Sequence, residues 1–278
     1  MIYNCYRFLF IFILFSLSSC DMCSHTSEKK ECEIIETEDN NIESKNGQRS
    51  SLSMVGLPQI IDTISSTILN RSSYTVSYNP TTRLPNWVMW QLTAEHTDGP
   101  LKRMNNFHED EDCPLPRATL QDYRGSGWSR GHMCPAGDNK WDNQAMYDSF
   151  SLVNVCPQNS KLNSGLWNSI EMDCRKWARK YGDIYIVCGP VLMKREHETI
   201  GDNKVVVPEA FFKVVLCLTG TPKAFGFIVR NTEGNKKKDL YYNSVDDVER
   251  ISGYDFFPAL PDDIEDVVEA TASIEDWR

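Results

Sequence analysis

From about residue 72 the chain alternates short apolar runs with polar breaks. NWVMWQLT (86–93), SLVNVCP (151–157), DIYIVCGPVL (183–192), AFFKVVLCL (210–218) and KAFGFIVRN (223–231) are rich in Val, Ile and aromatic residues. Each is bounded by Gly, Pro, Asn or Asp, the pattern of strands. Between them, residues 163–180 (NSGLWNSIEMDCRKWARK) place Leu166, Ile170, Cys174 and Trp177 at helical spacing, with charges on the other face. This predicts an amphipathic helix packed on a sheet, with Asn163 or Ser164 as its N-cap. A second, shorter helix is expected over Asp142–Phe150. Many strands with few helices between them predict an α+β fold, a central, mostly antiparallel β-sheet flanked by helices, rather than an alternating parallel sheet. No internal repeat is visible.

The pattern differs upstream. Phe8–Leu17 is a ten-residue apolar run preceded by Arg7, the only charge in the first twenty residues. A membrane span needs about 20 apolar residues, so the run fits a secretory signal better. LSSC (17–20) comes next and resembles the lipobox of bacterial lipoproteins, which implies cleavage before Cys20 and acylation of its thiol and amino group. Several acyl chains anchor stably where one binds only marginally. After Cys20 comes a stretch rich in Glu, Asn, Ser and Lys that cannot bury enough apolar surface to offset its ordering. The chain divides accordingly into a signal peptide (1–19), an acidic polar tether (20–71), a main folded domain (72–270) and a C-terminal tail (271–278), held at the bacterial cell envelope.

Charge refines this picture. The net charge of −10 belongs to the ends: residues 21–50 carry −4 and residues 241–278 carry −9, while 51–240 carry +2. An acidic whole would argue against a polyanionic partner; this weakly basic middle neither supports nor excludes one. Of ten cysteines, eight remain after the signal and Cys20 are set aside. At least one disulfide is expected in an exported protein, Cys23 and Cys32 being the pair least constrained by a core, with Cys188 and Cys217 as buried thiols in strands. No CxxC occurs, and HMC (132–134) lacks a second ligand pair, so a structural zinc site is not expected.

The candidate chemistry lies in GSGWSRGHMCPAGDNKW (125–141), which holds His132, one of five histidines, and continues through SLVNVCPQNSKLNSGLWNSIE (151–171). This stretch resembles the active-site signature of the DNA/RNA non-specific endonucleases, the ββα-metal (His-Me finger) nucleases. WVMWQLT, RMNNFHED and RATLQDYRGSGW upstream, and IYIVCGPVL, VPEAFFKVVL and SGYDFFPALPDDIE downstream, extend the likeness over most of the body. The residue types suit phosphodiester cleavage on their own terms. A neutral histidine takes a proton from water near neutrality, making His132 the candidate base. A hard cation such as Mg²⁺ prefers oxygen ligands and keeps most of its waters, so one amide can be its only protein ligand. The resemblance implies Asn163 in that role, for Mg²⁺ or Mn²⁺, and Glu171, two helical turns on, holding metal-bound water. It further implies Asn154 near the site, Arg130 and Arg103 on phosphate oxygens, DNA and RNA as substrates, 5′-phosphate products, and the homodimers common among relatives, which no segment here establishes.

One position departs from the pattern. The family's usual motif is Asp-Arg-Gly-His, and here Ser129 stands first, which puts metal preference and the balance of end-directed against internal cleavage in question. Two rivals stay open: a nucleic-acid-binding lipoprotein with impaired catalysis, which Ser129 alone supports, and, from another enzyme class, a phosphodiesterase acting on small nucleotides or other phosphate esters. Trp128, Trp141 and Trp167 read as core residues rather than base-stacking ones, and Asn163 as a mere helix cap is the plain alternative to a ligand.

Overall fold

The computed structural model describes residues 51–60, 64–233 and 236–278. Its centre is a seven-stranded sheet. The strands, in chain order, are β1 (Thr67–Asn70), β2 (Thr75–Asn79), β3 (Leu84–Leu92), β6 (Ile184–Val191), β7 (Ala210–Cys217), β8 (Lys223–Arg230) and β9 (Tyr242–Asn243), where β4 (Ser129–His132) and β5 (Val155–Gln158) form a separate hairpin. The sheet order is β9-β8-β7-β6-β3-β2-β1, with every neighbouring pair antiparallel. The α+β architecture with a central antiparallel sheet flanked by helices is the one the pattern predicts.

The central strands read as continuous apolar runs because both faces are covered. Along β7, Phe211, Val215 and Cys217 enter one core and Ala210, Phe212, Val214 and Leu216 enter the other. The first core takes Ile170, Cys174 and Trp177 from helix α2 (Asn168–Tyr181), together with Val155 and Cys156 of the hairpin. The second takes Val245 and Val248 of α3 (Val245–Ser252) and Val268 of α4 (Asp262–Glu269). Helix α1 (Asn143–Ser149) begins at Asp142, whose side chain accepts the Ala145 N–H at 2.8 Å.

Three expectations need correction. The folded region starts before residue 72: β1 is an edge strand of the main sheet, and Gln59–Ile60 pairs with Tyr254–Asp255. TILN (67–70) is too short and too polar to stand out, and its pairing with β2 is what makes it a strand. Nor are the last eight residues a loose tail. Trp277 is buried against Trp177 and Phe225, and its carbonyl accepts the Trp177 indole N–H at 3.0 Å. Finally, SLVNVCP is only half strand, because Leu152–Asn154 forms a 3₁₀ turn before β5. Cys113, Cys134, Cys156, Cys174, Cys188 and Cys217 are free and buried, as expected for the two in strands; Cys23 and Cys32 lie outside the described residues, as do Phe8–Leu17 and Cys20.

Candidate active site

The hairpin β4/β5 pairs Ser129 with Gln158, Gly131 with Cys156 and His132 with Val155. Gly131 is required by close approach, since a Cβ there would run into the buried Gln158 side chain. Beyond His132 the chain is braced by Asn154, which is fully buried. Its Oδ1 accepts the Cys134 N–H, and its Nδ2 donates to the carbonyls of Cys134 and Ser149, all at 2.8 Å. The amide is thus committed to the loop. Asn154 frames the loop that leads on from His132.

The helix opposite starts earlier than its periodicity predicts. Asn159 is the N-cap, its Oδ1 accepting from Lys161 and Leu162 N–H, and Ser160–Leu162 form the first turn. Residues Asn163–Trp167 then make a π-helical segment that leads into α2. Asn163 is therefore not a cap. Its backbone N–H bonds to the Asn159 carbonyl at 2.9 Å, and its side-chain amide has no protein partner among the described residues. An extra residue in a helical turn re-aims the side chains around it, which is why π segments recur at functional sites. The Trp167 indole N–H reaches the His132 carbonyl at 3.4 Å and ties this turn to the hairpin.

His132, Asn163 and Glu171 line one cleft of about 470 Å³ with Arg103, Lys140, Asn168 and Arg175. His132 is nearly buried between the rings of Phe107 and Phe150, at 5.1 and 4.9 Å, and its Nε2 has no hydrogen-bond partner among the described residues. Burial, then Arg103 and Arg130, lower its pKa to about 3, so the imidazole is neutral throughout the physiological range. Glu171 is half-buried, and burial raises its carboxyl to about 7 against the opposing pull of Lys213. Two residues with side-chain oxygens that have no partner among the described residues, lining one cleft with Arg103, Lys140 and Arg175, are a donor set that fits a hard divalent ion and an anionic substrate together.

Beneath the cleft lies a polar network that sequence reasoning missed. Arg175 donates to Asp138 at 2.7 Å, the Trp90 indole N–H reaches the other Asp138 oxygen at 3.2 Å, and Gly137 leaves room for the guanidinium. Burial raises the Asp138 pKa, and Arg175 opposes this. Lys213 is fully buried on β7, its Nζ 3.5 Å from the Met133 carbonyl and 4.9 Å from the ring centres of Trp90 and Trp167. Both had a signal: Lys213 interrupts the apolar run AFFKVVL, and Arg175 stands four residues after Glu171 on the same helical face. We expect Arg175→Ala to destabilise the protein by about 3–5 kcal/mol, because it leaves Asp138 buried and unpaired. Denaturant midpoints check this, and adding Asp138→Asn to the same chain should recover part of the loss; an unchanged midpoint in Arg175→Ala would remove the network from the account of stability.

A second concavity of about 590 Å³ adjoins the first through Arg103 and is lined by Arg124, Trp128, Ser129 and Arg130, with Phe107 and Tyr123. The Arg130 guanidinium sits 4.1 Å over the Phe107 ring, so Arg130 serves this groove rather than the His132 cleft. Trp167 is core, as expected, and Trp141 stacks on His96 at 4.2 Å. Trp128 packs against the core from the groove wall, half-buried, its indole N–H bonded to Glu198 at 2.9 Å.

Comparison with known proteins gives a consistent set. The family model described as DNA/RNA non-specific endonuclease matches residues 58–263. Nuclease EXOG, mitochondrial, of Xenopus laevis is 38% identical over 208 residues, covering 69% of this chain and 58% of that protein. The chain thus spans less than two thirds of the length of that relative. Endonuclease G, mitochondrial, of Bos taurus is 34% identical, covering 77% of this chain and 75% of the relative. Nuclease C1 of Cunninghamella echinulata is 37% identical over 69% of this chain and 83% of its own. Among solved structures, a chain of the EndoG/EndoGI complex superposes with a TM-score of 0.71 at 27% identity, covering 77% of this chain and 93% of the other.

Proposed function

The chain belongs to the DNA/RNA non-specific endonuclease family, and on that premise we propose that it hydrolyses phosphodiester bonds of DNA and RNA with little sequence preference, leaving 5′-phosphate ends. One observation carries the reading: His132, Asn163 and Glu171, from a strand, a π turn and a helix, line one cleft that runs into an arginine-lined groove. In this reading His132 takes the proton of the attacking water at its Nε2, which has no partner among the described residues and, on a neutral ring, can accept. Arg103, shared by cleft and groove, binds the scissile phosphate, and Arg130 and Arg124 hold flanking phosphates through guanidinium forks. Trp128, half-buried in the groove wall, offers ring surface beside them, and stacking on aromatic faces tolerates any base. Asn163 would hold Mg²⁺, or Mn²⁺ in its place, with Glu171 reaching its water shell; when bound, such an ion relieves charge at phosphorus and at the leaving 3′-oxygen. Phe107 and Phe150 shield the imidazole and keep it neutral.

Incubation with supercoiled plasmid and with RNA, in Mg²⁺ and in EDTA, tests this. Nicking and RNA loss in Mg²⁺ alone are expected, with new ends that accept a kinase label only after phosphatase treatment. Binding without cleavage would favour the impaired, nucleic-acid-binding rival. Cleavage of dinucleotides but not of plasmid would favour the small-nucleotide phosphodiesterase.

Anchoring belongs to the same proposal. With Cys20 acylated, residues after it would tether the domain to the bacterial envelope. Cys20→Ala is expected to move the protein from the membrane fraction to the soluble one; unchanged partition into detergent would mean the apolar run Phe8–Leu17 is the anchor instead, and the lipobox reading would fail.

A further inference from the structure

Glu269, the last residue of α4, is 6% exposed, and its Oε1 has no hydrogen-bond partner among the described residues. A buried carboxylate oxygen without a donor costs free energy, so the site should be completed by a proton or by a cation. Its surroundings favour a cation. Asp246 and Glu249 stand three residues apart on α3, hence on one face. One ligand oxygen from each of Asp246, Glu249 and Glu269 lies within 4.8 Å of the other two. Oxygens that share a Ca²⁺ at about 2.4 Å lie at most about 4.8 Å apart, so the three can sit on one coordination sphere. Asp246 is exposed and Glu249 half-buried, which gives the ion a path from solvent and room for waters.

The charges agree. Burial first, and then the neighbouring carboxyls of Glu249, Glu265, Asp246 and Asp255, raise the pKa of Glu269 to about 9. Burial likewise raises Glu249 to about 7, although its Oε1 accepts the Phe256 N–H at 2.7 Å. The nearby cation Arg250 is paired with Asp247 at 2.7 Å instead. We propose that Asp246, Glu249 and Glu269 form a structural cation site that takes Ca²⁺. It clamps α3 to α4 on the face of the sheet opposite the hairpin and α2. Ca²⁺ suits it better than Mg²⁺, because Ca²⁺ accepts several protein carboxylates in flexible geometry while Mg²⁺ keeps most of its water.

Thermal unfolding of the full chain in EDTA, Ca²⁺ or Mg²⁺ tests this without reference to catalysis. A ligand that binds only the folded state raises its midpoint. Ca²⁺ should raise the midpoint more than Mg²⁺ does. Glu269→Gln should abolish the Ca²⁺ shift, and Asp246→Asn, at an exposed position that does not endanger folding, should weaken Ca²⁺ binding by about tenfold or more in calorimetric titration. Asn163→Ala, which alters the catalytic cleft, should keep the Ca²⁺ shift in full. No Ca²⁺ shift in the wild type, or the same shift in Glu269→Gln, or its loss in Asn163→Ala with Asp246→Asn unaffected, would overturn the site.

Discussion

His132→Ala is expected to lower the rate of plasmid cleavage by about 10²–10⁴-fold, the usual contribution of a positioned general base. The imidazole is neutral at working pH, because burial and two arginines disfavour its charged form, and its Nε2 has no partner among the described residues to occupy the lone pair. The substitution should leave the fold intact. His132 is held through its backbone by β5 and Trp167, and the braces at Asn154 do not involve its ring. Turnover above a few per cent of wild type in a folded variant would end the assignment. A stability measurement gives an independent check. The folded-state pKa is depressed below the ordinary 6.5, so between those values the unfolded chain binds more protons than the folded one. The wild type therefore loses stability through this group as pH falls from 6.5 towards about 3, and is indifferent to it above 6.5. His132→Ala should remove that component and flatten the acid side of the curve. Equal slopes in the two proteins would mean that the ring is not buried in solution.

Asn163→Ala is expected to cost on the order of a hundredfold in rate. Charge relief by a bound metal is worth several kcal/mol, each ~1.4 kcal/mol is tenfold, and most of the ion's shell is water that remains. Raising Mg²⁺ should recover part of the loss, and direct Mn²⁺ binding, read by spin resonance, should weaken in parallel. Because Asn159 and not Asn163 caps the helix, the variant should unfold at nearly the wild-type temperature. A variant that bound Mn²⁺ like wild type would transfer the metal to Glu171 alone.

The candidate groups His132, Asn163 and Glu171 were legible because the chain places them in a run of forty residues whose types answer to one reaction, and the structure gathers all three into one cleft. Asn154 was legible as a neighbour of the site but not as its frame, since an amide's role depends on which groups it meets across 20 residues of chain. The place of Arg130 in the adjoining groove was not legible, since it depends on the ring of Phe107 beneath its guanidinium. The early strand β1 and the docked Trp277 escaped notice for a shared reason: both are short segments whose order comes wholly from partners elsewhere.

The sequence by itself determined the strand-rich body, the amphipathic helix and the residue types at the centre of the chemistry, because periodicity and side-chain chemistry are local properties. Tertiary structure alone decided which groups are charged. The low pKa of His132, the raised carboxyl of Glu171, the buried Lys213 and the orphaned oxygen of Glu269 all result from loss of water and from neighbours brought in by distant elements. Desolvation and Coulomb interaction depend on position in space, which spacing along the chain does not encode.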